Sequence, residues 1–188
     1  MAFRRRSKQP ADPVDAIDPA TVPARYRPSV ADALAARRRF DELVATLRPG
    51  PLQERMTELR ARVDAGVLAV WRTTTQAVEL ERVVDTLGAE RVADELKRAR
   101  RDGADEAVVD ALAARFASTQ RLLNALEDLR QHLPVVEARL GTAVARAAEL
   151  ALTSSAATAT GELAALESEL DTLVFDLDAL GRATDELA

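Results

Sequence analysis

LQERMTELRARVDAGVLAVWRTTTQAVELERVVDTL, residues Leu52–Leu87, is the stretch that decides the fold. Apolar or small residues recur at spacings of four and three: Leu52, Met56, Leu59, Val63, Gly66, Val70, Thr73, Ala77, Leu80, Val84 and Leu87. In a helix that spacing lines every member along one face. No proline interrupts it, and Glu58–Arg62 and Asp94–Arg98 are placed to pair one turn apart. The pattern predicts a helix over about 52–101. Gly88 is its weak point, since glycine costs about 1 kcal/mol relative to alanine inside a helix.

Lys97-Arg98-Ala99-Arg100-Arg101 closes this arm and suits the negative end of a helix. Asp102-Gly103 is a stop signal, and Asp102 or Asp105 can cap the helix that follows. A second arm over about 104–152 then carries Leu112, Thr119, Leu126, Leu133, Leu140 and Ala147, seven residues apart. Pro134 predicts a kink within it, because proline removes a backbone donor and clashes one turn back. Two equal arms, each about 75 Å at 1.5 Å per residue, joined by a tight turn must run antiparallel. Mirror pairing sets Val70 opposite Val135, Leu80 opposite Ala125–Leu126, and Leu96 opposite Val109.

Residues 1–28 hold five prolines and the cations Arg4, Arg5, Arg6 and Lys8. This composition predicts a disordered, basic tail preceding one helical domain over 29–188. Ser29 is read as the N-cap of a helix over 29–48, whose buried line is Ala33, Ala36, Phe40, Leu43 and Leu47. Pro49-Gly50-Pro51 stops that helix and turns it back onto the first arm. A second stripe on the arm, Val67, Trp71, Thr74 and Val78, is expected to receive it, so Phe40 and Trp71 are helix-packing contacts.

After a small, polar link at 153–161 comes a helix over 162–187 with the seam Leu163, Leu166, Leu170, Leu173, Leu177 and Leu180. From residue 160 onward the net charge is −7, against +4 for residues 1–48 and −5 for the whole chain. Like charges flanking a leucine seam oppose a parallel self-dimer. The acidic helix is therefore expected beside the basic one, with its Arg37, Arg38, Arg39 and Arg48. The predicted fold is all-α: an elongated antiparallel helical hairpin, coiled-coil-like, with a shorter helix folded back at each end. Together these form a partial up-down four-helix bundle, and residues 79–128 project as a two-helix rod.

Composition excludes much chemistry. The chain has no cysteine and one histidine, His132. Disulfides, zinc-thiolate sites and thiol nucleophiles are absent, and di-iron bundles need two Glu-x-x-His elements. No phosphate loop, nucleotide fingerprint or metal spacing occurs, so no cofactor, small-molecule substrate or catalytic activity is expected. No secretory segment or apolar run of about 20 residues is present, which predicts a cytoplasmic chain. Arginine supplies 24 of the 26 basic residues, the codon bias of a GC-rich, bacterial genome.

Two cationic clusters are candidate contacts for an anionic surface: Arg4, Arg5, Arg6 and Lys8 at the start, and Lys97, Arg98, Arg100 and Arg101 at the tip of the rod. The long hairpin is similar in outline to phage-shock-protein-A and ESCRT-III-type membrane-remodelling proteins. The resemblance covers architecture alone; the chain lacks their continuous amphipathic N-terminal helix, and no residue carries over. The functional expectation is a scaffold or adaptor that self-associates or docks a protein partner through seam flanks such as Val83, Val108, Leu122 and Leu129. The alternative is peripheral attachment to the inner face of the membrane through Arg4–Lys8, worth about 1 kcal/mol per cation. Nucleic-acid binding ranks third, given the acidic total and the lack of interleaved aromatics.

Overall fold

The computed structural model describes the backbone of residues 12–153 and 156–185, and the side chains of 12–152 and 161–183. Two 3₁₀ turns, Pro13–Ala16 and Pro19–Thr21, precede five α-helices in this region. These are α1 (Arg27–Thr46), α2 (Pro51–Leu87), α3 (Ala89–Arg101), α4 (Glu106–Thr153) and α5 (Ala156–Asp185). No strand occurs among the described residues, so the chain is an all-α helical bundle.

The heptad residues of α2 are its inner face: Met56, Leu59, Val63, Gly66, Val70, Ala77, Leu80 and Val84 are all buried. They pack against Leu126, Leu129, Leu133, Val136, Leu140, Ala143 and Ala147 of α4 within one core. Cross-helix pairs give the directions. Glu81–Arg130 and Glu95–Arg115 set α2 and α3 antiparallel to α4, while Arg60–Asp41 and Arg37–Asp64 set α1 antiparallel to α2. Arg62–Asp171 and Arg72–Asp178 place α5 parallel to α2, and Arg139–Asp176 and Arg146–Glu169 place it antiparallel to α4.

Several expectations need correction. The acidic helix does not lie beside the basic one: α1 and α5 each pack on both α2 and α4, and form no comparable contact with each other. Charge alone suggested the neighbour, but the acids of α5 find their arginines on α2 and α4. The first arm is two helices, because Gly88 takes the left-handed conformation (φ 61°) that glycine reaches without a side-chain clash. At Pro134, by contrast, α4 continues as one helix, as the expected second arm over 104–152 does. Val135 does not occupy the seam opposite Val70; Leu133 and Val136 are buried there and Val135 faces out.

Residues 12–28 are not a tail. Asp12 and Asp18 accept from Val14 N and Ala20 N, each capping a turn opened by proline, and Val14, Val22 and Tyr26 join the core. Arg37 anchors this segment through Asp12 at 2.6 Å and Asp15 at 2.9 Å while also pairing with Asp41 and Asp64. Ser29 lies inside α1, not at its cap. Asp105 does cap α4, accepting from Ala107 N at 2.9 Å.

The level of Glu81 marks a shoulder. Its carboxylate, almost wholly buried, takes Arg130 from α4 and Arg25 from the entering segment, and Arg130 Nε also donates to Tyr26 Oη at 3.3 Å. Beyond it, α3 packs on α4 through Val92 and Leu96, apart from the main core.

Gly66 sits where three helices converge, and a Cβ there would lie 3.3 Å from Leu140 Cδ1 and 3.7 Å from Leu173 Cδ2. In Gly66→Ala, the gain in helix propensity, about 1 kcal/mol, offsets the crowding, so its melting temperature stays near the parent's. Gly66→Leu overfills the junction and loses about 3 kcal/mol. Thermal and urea unfolding followed by circular dichroism checks both.

Candidate interaction surface

α5 divides into two faces. Inward, Leu163, Leu166, Leu170, Leu173 and Leu177 are buried and Leu180 is partly buried. They lie in the groove between α2 and α4. Of the other packing residues read from the sequence, Phe40 is fully buried and Trp71 partly so.

Outward, the helix presents Ala164, Ser168, Thr172 and Phe175. Phe175 is 66% exposed, whereas Tyr26 and Phe40 are buried and Trp71 packs on the core. Thr172 Oγ1 donates to the Ser168 carbonyl at 2.8 Å, so its own helix satisfies the hydroxyl. Phe175 forms one wall of a shallow hollow of about 530 Å³, lined also by Ala164, Ser168 and Thr172 with Arg62, Glu167 and Asp171 along one edge.

Both shoulders of this face are rows of ion pairs. On the α2 side, Glu167 is paired with Arg55 and Arg62, Asp171 with Arg62 at 3.0 Å, and Asp178 with Arg72 at 2.9 Å. On the α4 side, Arg146 meets Glu169 at 2.6 Å and Arg139 meets Asp176 at 3.1 Å. A helix that is strongly acidic in sequence is therefore locally neutralised. What remains is a small-residue strip with one large aromatic, bordered by polar pairs.

The other predicted sites are less organised. Arg4, Arg5, Arg6 and Lys8 lie outside the described residues. At the tip, Lys97 pairs with Asp94 at 3.6 Å, Arg101 with Asp102 at 3.2 Å, and Arg98 Nε donates to the Asp94 carbonyl at 3.3 Å, while Arg100 is exposed. Three of the four tip cations thus have acceptors within their own helix or its cap. Of the seam flanks, Val83 and Val108 are 43% and 49% exposed, but Leu122 and Leu129 are buried by the chain itself. His132 is exposed, with Nδ1 2.8 Å from the Asp128 carbonyl oxygen. It lines an open groove between α4 and α5 together with Asp176, whose carboxylate is taken by Arg139.

Phe175 was legible as an outward residue. It stands two positions from both Leu173 and Leu177, on the side of the helix opposite the seam. Its hollow was not, because that depends on Arg62 arriving from α2.

Among the described residues no group of three or more histidines or carboxylates is arranged to hold a metal ion, and no helix is long and apolar enough to cross a membrane. No family model, curated protein or solved structure matches the chain. The surface has to be read from its own chemistry.

Two half-buried carboxylates of the bundle, Asp64 and Glu137, are raised in pKa by burial. Burial pushes Glu137 above the ordinary glutamate range; a hydrogen bond with Ser29 opposes this and the nearby Asp32 adds to it. Its Oε1 has no hydrogen-bond partner. A raised folded-state value means the native protein binds this proton more tightly than the unfolded chain. The contribution to stability is full below the ordinary value and is lost as pH rises through the raised one. Glu137→Gln should therefore melt above the parent at pH 7, and the gap should close as pH falls towards 4.5, the ordinary value. Melting curves of the two proteins across that range check it.

Proposed function

We propose that this chain is a non-enzymatic scaffold or adaptor. In this reading it is a coiled-coil-like antiparallel hairpin, with a shorter helix folded back at each end into a partial up-down four-helix bundle. It acts through protein–protein contacts made by the outward face of α5. The observation that carries the proposal is Phe175, two-thirds exposed on one wall of a hollow and between shoulders whose charges are already paired. Exposed aromatic surface is costly to leave in water, and burying a phenyl side chain is worth about 1.5–3 kcal/mol. Neutral shoulders lower the desolvation cost of covering that face, which unpaired carboxylates would raise.

Peripheral-membrane and nucleic-acid roles have less support, since most of the tip cations are engaged locally. Catalysis has less still, because His132 and Asp176 are each engaged by other groups.

A photoreactive phenylalanine analogue placed at position 175, and separately at the exposed Glu58 of α2, tests the proposal in cells expressing the full chain. Covalent adducts of defined mass are expected from position 175 and not from position 58. Equal labelling at both positions, or none at 175, would reject it.

A further inference from the structure

We infer that residues 12–25 form a strap that opens and closes over α1 and α2 as a unit of its own, while the bundle beneath it stays folded. Its two 3₁₀ turns bridge those helices, Pro13–Ala16 resting on α2 and Pro19–Thr21 on α1.

Two ionic clasps hold it, and both are built alike. Arg37 directs Nε at the bundle's own carboxylates, Asp41 at 3.3 Å and Asp64 at 3.2 Å. Its terminal nitrogens go to the strap, Nη2 to Asp12 at 2.6 Å and Nη1 to Asp15 at 2.9 Å. Arg60 repeats the division at longer range, Nε to Asp41 at 2.9 Å and Nη2 to Asp12 at 3.9 Å. At the other end Glu81 gives Oε1 to Arg130 of α4 and Oε2 to Arg25 of the strap, the latter at 2.9 Å. Each clasp is a bundle side chain that serves the bundle with one atom and the strap with another.

Charge balance follows the same division. Without the strap, Arg37 and Arg60 face Asp41 and Asp64, and Glu81 faces Arg130, with equal numbers on each side. Closure adds two carboxylates to the first group and one guanidinium to the second. Breaking a buried pair is costly because one charge is left uncompensated. Opening the strap does nothing of the kind. Every bundle charge keeps a partner of opposite sign, and Asp12, Asp15 and Arg25 go to water.

Apolar contact adds a modest hold. Of residues 12–25 only Val14 and Val22 are buried, with Ile17 packed at the edge of the core. Tyr26 stays behind, as the residue that opens α1, its hydroxyl accepting from Arg130. The return is fastened by Arg27 Nε, which donates to the Val22 carbonyl at 3.0 Å, a bond water can replace. Asp12 and Asp18 cap the turns from within the strap, so its local shape does not come from the bundle. Segments with few buried contacts open at free energies below that of global unfolding.

The chain has no cysteine, so a thiol at a buried position reports opening by its reaction with a soluble thiol reagent. Val14→Cys samples the strap and Val63→Cys samples α2, each valine being 1% exposed. In the full chain, labelling at position 14 should be at least about a hundredfold faster than at 63. Below the unfolding transition its rate should barely change with urea, whereas labelling at 63 should rise steeply, since only global unfolding exposes much surface. Asp12→Asn with Asp15→Asn removes the charges at Arg37 while asparagine can still cap the first turn. Added to V14C, this pair should speed labelling at 14 about tenfold. A rate at 14 that rises with urea as steeply as at 63 would overturn the inference, because strap and bundle would then open together. So would a rate at 14 that D12N/D15N leaves unchanged, because the clasp would then hold nothing.

Discussion

α2 has to be covered on three sides, and the rest of the molecule follows from that. Besides its heptad face it buries Val67, Thr74 and Val78 on one flank and Ala69 on the other. A helix apolar over so much of its circumference cannot be satisfied by one neighbour. α4 takes the centre, while α1 and α5 take the flanks, each also resting on α4. Near Glu81 the requirement lapses: beyond it α2 buries only Val84, and α3 only Val92 and Leu96. The extension is two-helical there because its sequence has only one stripe to hide. Gly66 shows how tight the arrangement is where it is complete, with α4 and α5 leucines both within 4 Å of an added methyl.

The seam residues, the antiparallel arms and the return of α1 were readable because they depend on spacing, and spacing is local. The pairings Asp41–Arg60 and Arg37–Asp64 fall at the mirror positions about Gly50 that the sequence implies. Which helix α5 would choose was not readable from net charge. Its acids stand on both sides of the leucine seam, Glu167, Asp171 and Asp178 on one and Glu169 and Asp176 on the other. A helix with two charged flanks needs two cationic neighbours. Arg55 and Arg62, and likewise Arg139 and Arg146, are seven residues apart on α2 and α4, and that repetition was the signal for the groove between them. The block Arg37-Arg38-Arg39 lacks such a repeat, and Arg37 serves the carboxylates of the entering segment instead.

Composition misled at the N-terminal side for a related reason. Five prolines in 28 residues describe extended chain on average, but Asp12-Pro13 and Asp18-Pro19 are specific pairs. Aspartate ahead of proline caps a turn whose first residue needs no backbone donor, and two such turns bring Val14 and Val22 to the core. Average properties bound a segment's behaviour without determining it. Side chains at two or three positions decide whether it packs.

Phe175 stands apart from all of this. The bundle gives the inner seam of α5 to leucines and the shoulders to ion pairs, and it asks nothing of the outer line. Serine, glutamate or lysine there would serve helix and core equally well, at lower cost in exposed apolar surface. Folding accounts for the neighbours of Phe175: the small residues keep the face shallow, and the paired acids hold α5 in its groove. It does not account for the ring itself. The ring forms one wall of a hollow completed by Arg62 and three small side chains, and that placement is what the proposed interaction role rests on.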